Sequence, residues 1–295
     1  MRKIRHFFWR VITAPFRFVA WLFMRIPPVR SFYEFMTFEP EDRPVIDGLN
    51  DAITDYRALL PHLIALRNQL IRVVLVLVVA VIGAFVFAQD LLNLLAVPVG
   101  GLDKLVAVDV TESVGVFMRV SLLAGVALIS PYLYFELWLF LAPGIRARQR
   151  QVALILLPLA VALFLGGMWF CYAIMLPVAL PFLSTFMGIA SQWRPDSYFR
   201  FVTGLMLWIG IAFEFPILIL ILTIARRVTP GMLLKHWRIA VVIISIIAAV
   251  ITPTVDPVNM ALVMAPMIAL YFLSILLSFI AVGAGRAPKR TEAPS

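Results

Sequence analysis

Two stretches of this chain, Val152–Gln192 and Pro257–Gly285, contain no charged residue, and from Ile239 to Gly285 the only charge is Asp256. A helix needs about 20 consecutive apolar residues to cross a hydrocarbon core about 30 Å thick. In that core every backbone N–H and C=O has to be satisfied within the segment, so an α-helix is the form such runs take. Soluble domains are about 45–50% apolar and about 25% charged. This chain is 63% hydrophobic and 14% charged. It reads as an all-α, polytopic membrane protein.

The same sequence excludes several chemistries. Cys171 is the only cysteine, which rules out an internal disulfide and any cysteine-based metal cluster. His6, His62 and His236 fall in three separate segments without ligand spacing. There is no phosphate-cradling glycine loop, no His-Glu-x-x-His, no Gly-x-Ser-x-Gly and no grouping of acid, base and nucleophile. We therefore expect neither an enzyme nor a cofactor or metal site. The net charge of +9 suits basic cytoplasmic loops and anionic lipid headgroups rather than nucleic acid.

Six spans are expected, at about 71–88, 119–142, 151–176, 201–225, 239–252 and 258–280. As one helix, Val152–Gln192 would measure ~62 Å at 1.5 Å per residue, about twice the bilayer core. Pro177 and Pro181 are the expected break, because proline lacks the amide donor and clashes with the preceding turn. Residues 178–190 are then an apolar segment on the far side. The run Thr252-Pro253-Thr254-Val255-Asp256-Pro257 is the expected turn between spans five and six. Both of those spans then come out short, which suggests a locally thinned bilayer.

Charge sets the orientation. With the amino terminus inside, segments 1–72, 146–150, 226–238 and 286–295 hold all of the 25 Lys and Arg except Lys104, Arg119, Arg194 and Arg200. Asp90, Asp103, Asp109, Glu112, Asp196 and Asp256 fall outside. This pattern obeys the positive-inside rule and puts both termini in the cytoplasm of a cell-membrane protein.

Residues 1–50 have a different character. Arg2, Lys3, Arg5, Arg10, Arg17 and Arg25 alternate with Phe7, Phe8, Trp9, Phe16, Phe18, Trp21 and Phe23. No apolar run long enough for a signal-peptide core is present. The segment reads as a basic amphipathic extension lying on lipid, kinked at Pro15 and followed by a linker, with a disordered basic arm as the alternative. The membrane domain then covers 51–285, and 286–295 is a short tail.

Two acids lie inside spans, Glu136 in the second and Glu214 in the fourth. An ionised acid at a helix centre costs about 2.5–3.5 kcal/mol or more to insert, so such residues face a polar cavity or are protonated. Glu214 is near mid-membrane and reads as a polar spot in a groove, or as a neutral acid bonded to a neighbouring helix. Glu136, ~9 Å from the cytoplasmic end, is either functional or snorkels to the interface. Trp138, Trp193 and Trp237 fit interfacial anchors. Met206, Met260, Met264 and Met267 fit packing filler, and Cys171 a small buried apolar group. Pro131, Pro143, Pro216, Pro253, Pro257 and Pro266 bend the spans or mark their ends.

The order of motifs from about Leu59 to Ile280 resembles the TatC family, the multispanning core of the twin-arginine protein translocase. His62-Leu63-Ile64-Ala65-Leu66-Arg67 is similar to the family's His-Leu-x-Glu-Leu-Arg motif. Thr111-Glu112, with Phe117 and Arg119 following, resembles the stretch before the second span. Pro131, Trp138, Phe140, Pro143-Gly144 and Arg150 resemble the second span and first inner loop. Gly210, Phe213-Glu214 and Pro216 resemble the fourth span. Arg238, Thr252-Pro253, Asp256-Pro257 and Pro266 resemble the last third.

The resemblance implies six helices in a concave, glove-like wall, with 178–200 as part of its outer cap. It implies a receptor for twin-arginine signal peptides of folded cargo, acting with TatA-type and TatB-type single-span partners, as a homo-oligomer, driven by the proton gradient. The implied peptide-binding positions are Ala65, Arg67, Glu136, Phe140, Gln149 and Arg150. Glu214 is the implied intramembrane polar site, and Thr111, Glu112, Pro253 and Asp256 belong to the outer motifs.

The chain departs from the family where arginine is received. The acidic positions are Ala65 and Gln149 here, the second-span glutamine is Glu136, the last-span glutamate is Phe272, and Asn259-Met260 stands after Asp-Pro. Carboxylate–arginine bonds are strong and bidentate, and each charged hydrogen bond contributes roughly 1.5–3 kcal/mol. Three readings follow: a receptor whose recognition is rebuilt around Glu136 with help from Asp51, Asp55 or the acidic linker; a paralogue serving as a non-receptor subunit; and a small-molecule transporter with Glu214 as proton site. The last class often carries inverted repeats, and the two halves of this sequence show no convincing similarity.

Overall fold

The computed structural model describes residues 56–109, 111–142, 147–185, 193–224, 228–252 and 257–284. The extension 1–50, the tail 286–295 and the motif residues Pro143, Gly144, Pro253 and Asp256 lie outside the described residues. In chain order the helices are α1 (Tyr56–Phe85), α2 (Ala88–Ala96), α3 (Glu112–Leu141), α4 (Ala147–Phe170), α5 (Leu176–Thr185), α6 (Pro195–Ala212), α7 (Phe215–Ile224), α8 (Pro230–Lys235), α9 (Trp237–Ile251) and α10 (Pro257–Ala284). Among the described residues the only β pairing is an isolated bridge between Leu105 and Trp193.

Among the described residues five helical stretches are long and apolar enough to cross a membrane: Leu63–Phe85, Glu112–Phe140, Arg150–Ser184, Pro195–Ile224 and Met260–Ile280. The shorter apolar helix α9 supplies a sixth; its 15 residues rise ~22 Å. The protein is an all-α, six-span membrane protein. Only α9 is short, since α10 has 28 residues; the expectation of two short spans holds for one.

The expected break at Pro177 and Pro181 does not occur. The chain stays helical from α4 to Thr185, through a π turn at Cys171–Met175 in which the Leu176 N–H reaches back to the Cys171 carbonyl. Widening the turn just before Pro177 changes which carbonyl a missing proline N–H leaves behind, so the helix absorbs the prolines instead of ending at them. Pro131 is absorbed differently. Its ring removes the donor for the Ala127 carbonyl, and the neighbouring Ser130 hydroxyl donates to that carbonyl at 2.9 Å. The fourth span does break, at Phe213-Glu214 between α6 and α7, where Pro216 cannot serve the Ala212 carbonyl. Between α2 and α3, Gly100 and Gly101 take φ of 95° and 108°, a region that side chains disfavour.

The chain divides into two compact units. One holds the described residues up to Leu91 together with Val120–Val161, the other Leu92–Arg119 and the described residues from Ala162 onward. In the first, a Cβ on Gly125 would stand 2.6 Å from the Val81 side chain, so α1 and α3 touch there backbone to side chain. Trp138 and Ala142 form a core with Phe135, Leu139, Ala153, Leu154 and Leu157. In the second unit, Ile244, Tyr271 and Ile275 pack with Leu233, Ala240, Met264, Met267 and Ile268. Here two methionines serve as packing, and Cys171 is fully buried. The Tyr271 hydroxyl donates to the Leu233 carbonyl at 2.7 Å, and the Thr223 and Ser278 hydroxyls bond at 2.8 Å.

Gly167 and Gly210 bring α4 and α6 together. A Cβ on Gly167 would lie 2.8 Å from the Phe213 ring and 3.0 Å from the Gly210 Cα and the Ile209 carbonyl oxygen, whereas one on Gly166 would meet nothing within 4 Å. Gly167→Ala is therefore expected to destabilise the protein by about 1–3 kcal/mol through overpacking. Gly166→Ala, relieved of glycine's helix penalty, is expected to be neutral or stabilising by up to about 1 kcal/mol. Thermal unfolding of the two variants in detergent checks the contrast.

Candidate functional site

Tyr132 and Glu136 stand four residues apart on one face of α3, and Gln69 and Arg72 three apart on one face of α1, the spacings at which helix side chains line up. The two faces meet. The Glu136 carboxylate accepts the Arg72 Nε–H at 2.9 Å and the Nη2–H at 2.8 Å, a bidentate fork, and takes the Tyr132 hydroxyl on Oε1. The Gln69 amide donates to the Glu136 backbone carbonyl. The Glu136 side chain is 5% exposed and that of Arg72 54%. A buried carboxylate is thus satisfied by a cation, a hydroxyl and the fork geometry that arginine alone provides.

Glu136 does not snorkel, and its partner escaped the sequence reading. By charge Arg72 belongs with the basic segment 1–72, yet α1 begins at Tyr56 and carries Arg72 well into the apolar stretch Leu63–Phe85. Its presence in an apolar run was the available signal. Trp138 is no lipid-facing anchor either: it is 4% exposed, and its indole N–H donates to the Arg150 carbonyl at 3.2 Å. Arg150 is fully buried, with its Nε–H on the Ala142 carbonyl at 2.9 Å. Ala65 and Arg67 are exposed on α1, and among the described residues the Arg67 guanidinium donates to its neighbour Asn68, at 3.2 Å. Phe140 is half-buried, and Gln149 falls in the first turn of α4.

The second unit holds another polar cluster. Glu112, at the start of α3, is buried and receives the Arg194 guanidinium, whose protonated form it favours, so that Arg194 sits above the ordinary arginine range. Thr111 precedes it, its N–H on Asp109 Oδ1 at 3.0 Å. Asp196 accepts Arg119 at 2.8 Å and Arg200 at 2.8 Å. Beside them Val106 donates to the Trp193 carbonyl at 3.1 Å, and the Tyr198 hydroxyl donates to the Leu95 carbonyl at 2.7 Å. The three arginines that the sequence leaves as isolated outer charges are therefore the ties of this region. Glu214 lies in the α6–α7 turn, half-buried; its N–H donates to the Ile211 carbonyl, and its own carbonyl takes Ile217 and Leu218, each at 3.1 Å. Among the described residues no three His, Cys, Asp or Glu side chains are grouped for a metal.

Comparison with known proteins places these helices. The family model described as Sec-independent protein translocase protein (TatC) matches residues 61–266. The chain belongs to the TatC family. It is 36% identical to the Sec-independent protein translocase protein TatC of Deinococcus radiodurans, covering 80% of this chain and 90% of that protein. It is 32% identical to TatCy of Bacillus subtilis, over 75% and 88% of the two chains. A crystal structure described as the twin-arginine translocase receptor TatC superposes with a TM-score of 0.64 at 30% identity, covering 75% of this chain and 99% of that one. All the candidate residues named above fall within the stretch matched to TatC, and 1–50 and 286–295 fall outside it.

Tyr132→Phe removes one donor from Glu136 while keeping the ring. The loss of a hydrogen bond to a charged group is expected to lower stability by about 1.5–3 kcal/mol, measured by heat or denaturant unfolding in detergent.

Proposed function

We propose that this protein is the receptor for twin-arginine signal peptides in a translocase that moves folded proteins across the cell membrane, driven by the proton gradient. The observation that carries this reading is the likeness to a solved twin-arginine translocase receptor over 99% of that protein's chain. The protein works as a binding and transport component rather than as an enzyme. It sits with both termini in the cytoplasm, an orientation supported by the distribution of its 25 Lys and Arg. Its partners are TatA-type and TatB-type single-span proteins and further copies of itself, and residues 1–50 attach to the inner leaflet through their basic and aromatic side chains.

Peptide is received at the cytoplasmic ends of α1 and α3, around Ala65, Arg67, Phe140, Gln149, Arg150 and Glu136. Glu214 supplies a polar point within the membrane, while Thr111, Glu112, Pro253 and Asp256 belong to the outer side. Site-specific photocrosslinking to a radiolabelled twin-arginine precursor, with probes at Ala65 and Gln149, tests the reading. A crosslink that disappears when the arginine pair becomes a lysine pair is expected. No crosslink despite normal membrane insertion would contradict it and leave the protein as a subunit beside another receptor.

A further inference from the structure

The ion pair between α1 and α3 is unequal in a way that bears on peptide recognition. Glu136 is built in: its carboxylate is 5% exposed, Tyr132 holds Oε1, and the Gln69 amide ties its backbone. Arg72 is not. Its side chain is 54% exposed; its fork rests on the Glu136 carboxylate, with the Tyr132 hydroxyl beside it. A guanidinium has five N–H donors, two of which serve the carboxylate, and the half-exposed stem leaves the head room to swing away from Glu136 and Tyr132.

The position also fits. Ala65, Gln69 and Arg72 recur at i, i+4 and i+7, on one face of α1, within ~10 Å of helix rise. Ala65 has no carboxylate to offer and neither has Gln149. In this unit the described acids are Glu136 and Asp90, and Asp90 lies beyond the far end of α1, in α2. Glu136, on α3, is the described carboxylate that meets this stripe, at Gln69 and Arg72.

We propose that Glu136 is the guanidinium-recognising carboxylate of the signal-peptide site, with Arg72 as its resting occupant, displaced by one arginine of the incoming pair. The proposal rests on the receptor reading above. The exchange keeps the buried carboxylate neutralised throughout, since one bidentate fork replaces another and Arg72 swings out on its exposed side. It also explains discrimination between cations. Lysine presents a point charge and cannot reproduce the fork, so it is a poor competitor for a carboxylate already held bidentately. Arg72 thereby acts as an internal competitor that weakens binding while sharpening the choice of arginine over lysine.

The test is binding of two fluorescent signal peptides, one with the arginine pair and one with a lysine pair, to the full-length protein in lipid nanodiscs. The unaltered protein is expected to prefer the arginine peptide. The double variant R72Q/E136Q, whose uncharged amides leave no charge unpaired, is expected to lose at least about tenfold of that preference, the worth of one charged hydrogen bond. Arg72→Lys, which keeps a cation beside Glu136 without the fork, is expected to bind the arginine peptide about tenfold more tightly. If the unaltered protein shows no preference, the receptor reading fails and this proposal with it. If it shows a preference that the double variant keeps, this proposal alone is overturned. Unchanged or weaker arginine-peptide binding by Arg72→Lys overturns the role of Arg72 as resting occupant.

Discussion

A carboxylate buried in a membrane helix has to meet a cation, and the bidentate contact between Glu136 and Arg72 meets that requirement for the first unit. The pair lies between two helices that also touch where Gly125 admits the Val81 side chain, so α1 and α3 are joined by one polar and one steric contact. In an apolar environment, lipid and leucine are near equivalents, and helix association depends on close packing and on polar groups that find each other. Both are present here. The Gly167–Gly210 approach plays the steric part in the second unit, and the Thr223–Ser278 bond plays the polar part.

The all-α class and the number of spans were legible in the sequence because uncharged length is a strong signal: no other fold accommodates a run such as Val152–Gln192 in lipid. Helix ends were less legible. Pro177 and Pro181 look like a stop, but a π turn at Cys171–Met175 lets the helix carry on, and π turns have no sequence signature. Likewise α6 starts at Pro195 rather than near Phe201, since a proline at a helix start gives up no internal bond.

The site was legible in part. Glu136 stood out as an acid in a span, yet its burial depends on which face of α1 meets α3, and periodicity in an apolar helix that is hydrophobic all round does not mark one. Arg72 therefore looked like the last charge of a basic segment. Trp138 looked like an anchor because its position near a span end says nothing of which side it faces. In the second unit, Glu112 stands 82 residues from Arg194 and Arg119 stands 77 from Asp196. Only the folded chain shows that they close on one another, Arg194 on Glu112 and Arg119 on Asp196.

The account hangs on Arg72 and Glu136 acting as one unit, and a double-mutant cycle on unfolding of the purified protein tests that most directly. Arg72→Gln and Glu136→Gln alone each leave a charge without its partner, so each is predicted to destabilise more than the two together. A coupling energy of about 1–2 kcal/mol is predicted, below the range for fully buried pairs because Arg72 is half exposed. Additive losses, with the double variant as unstable as the sum of the single ones, would contradict it.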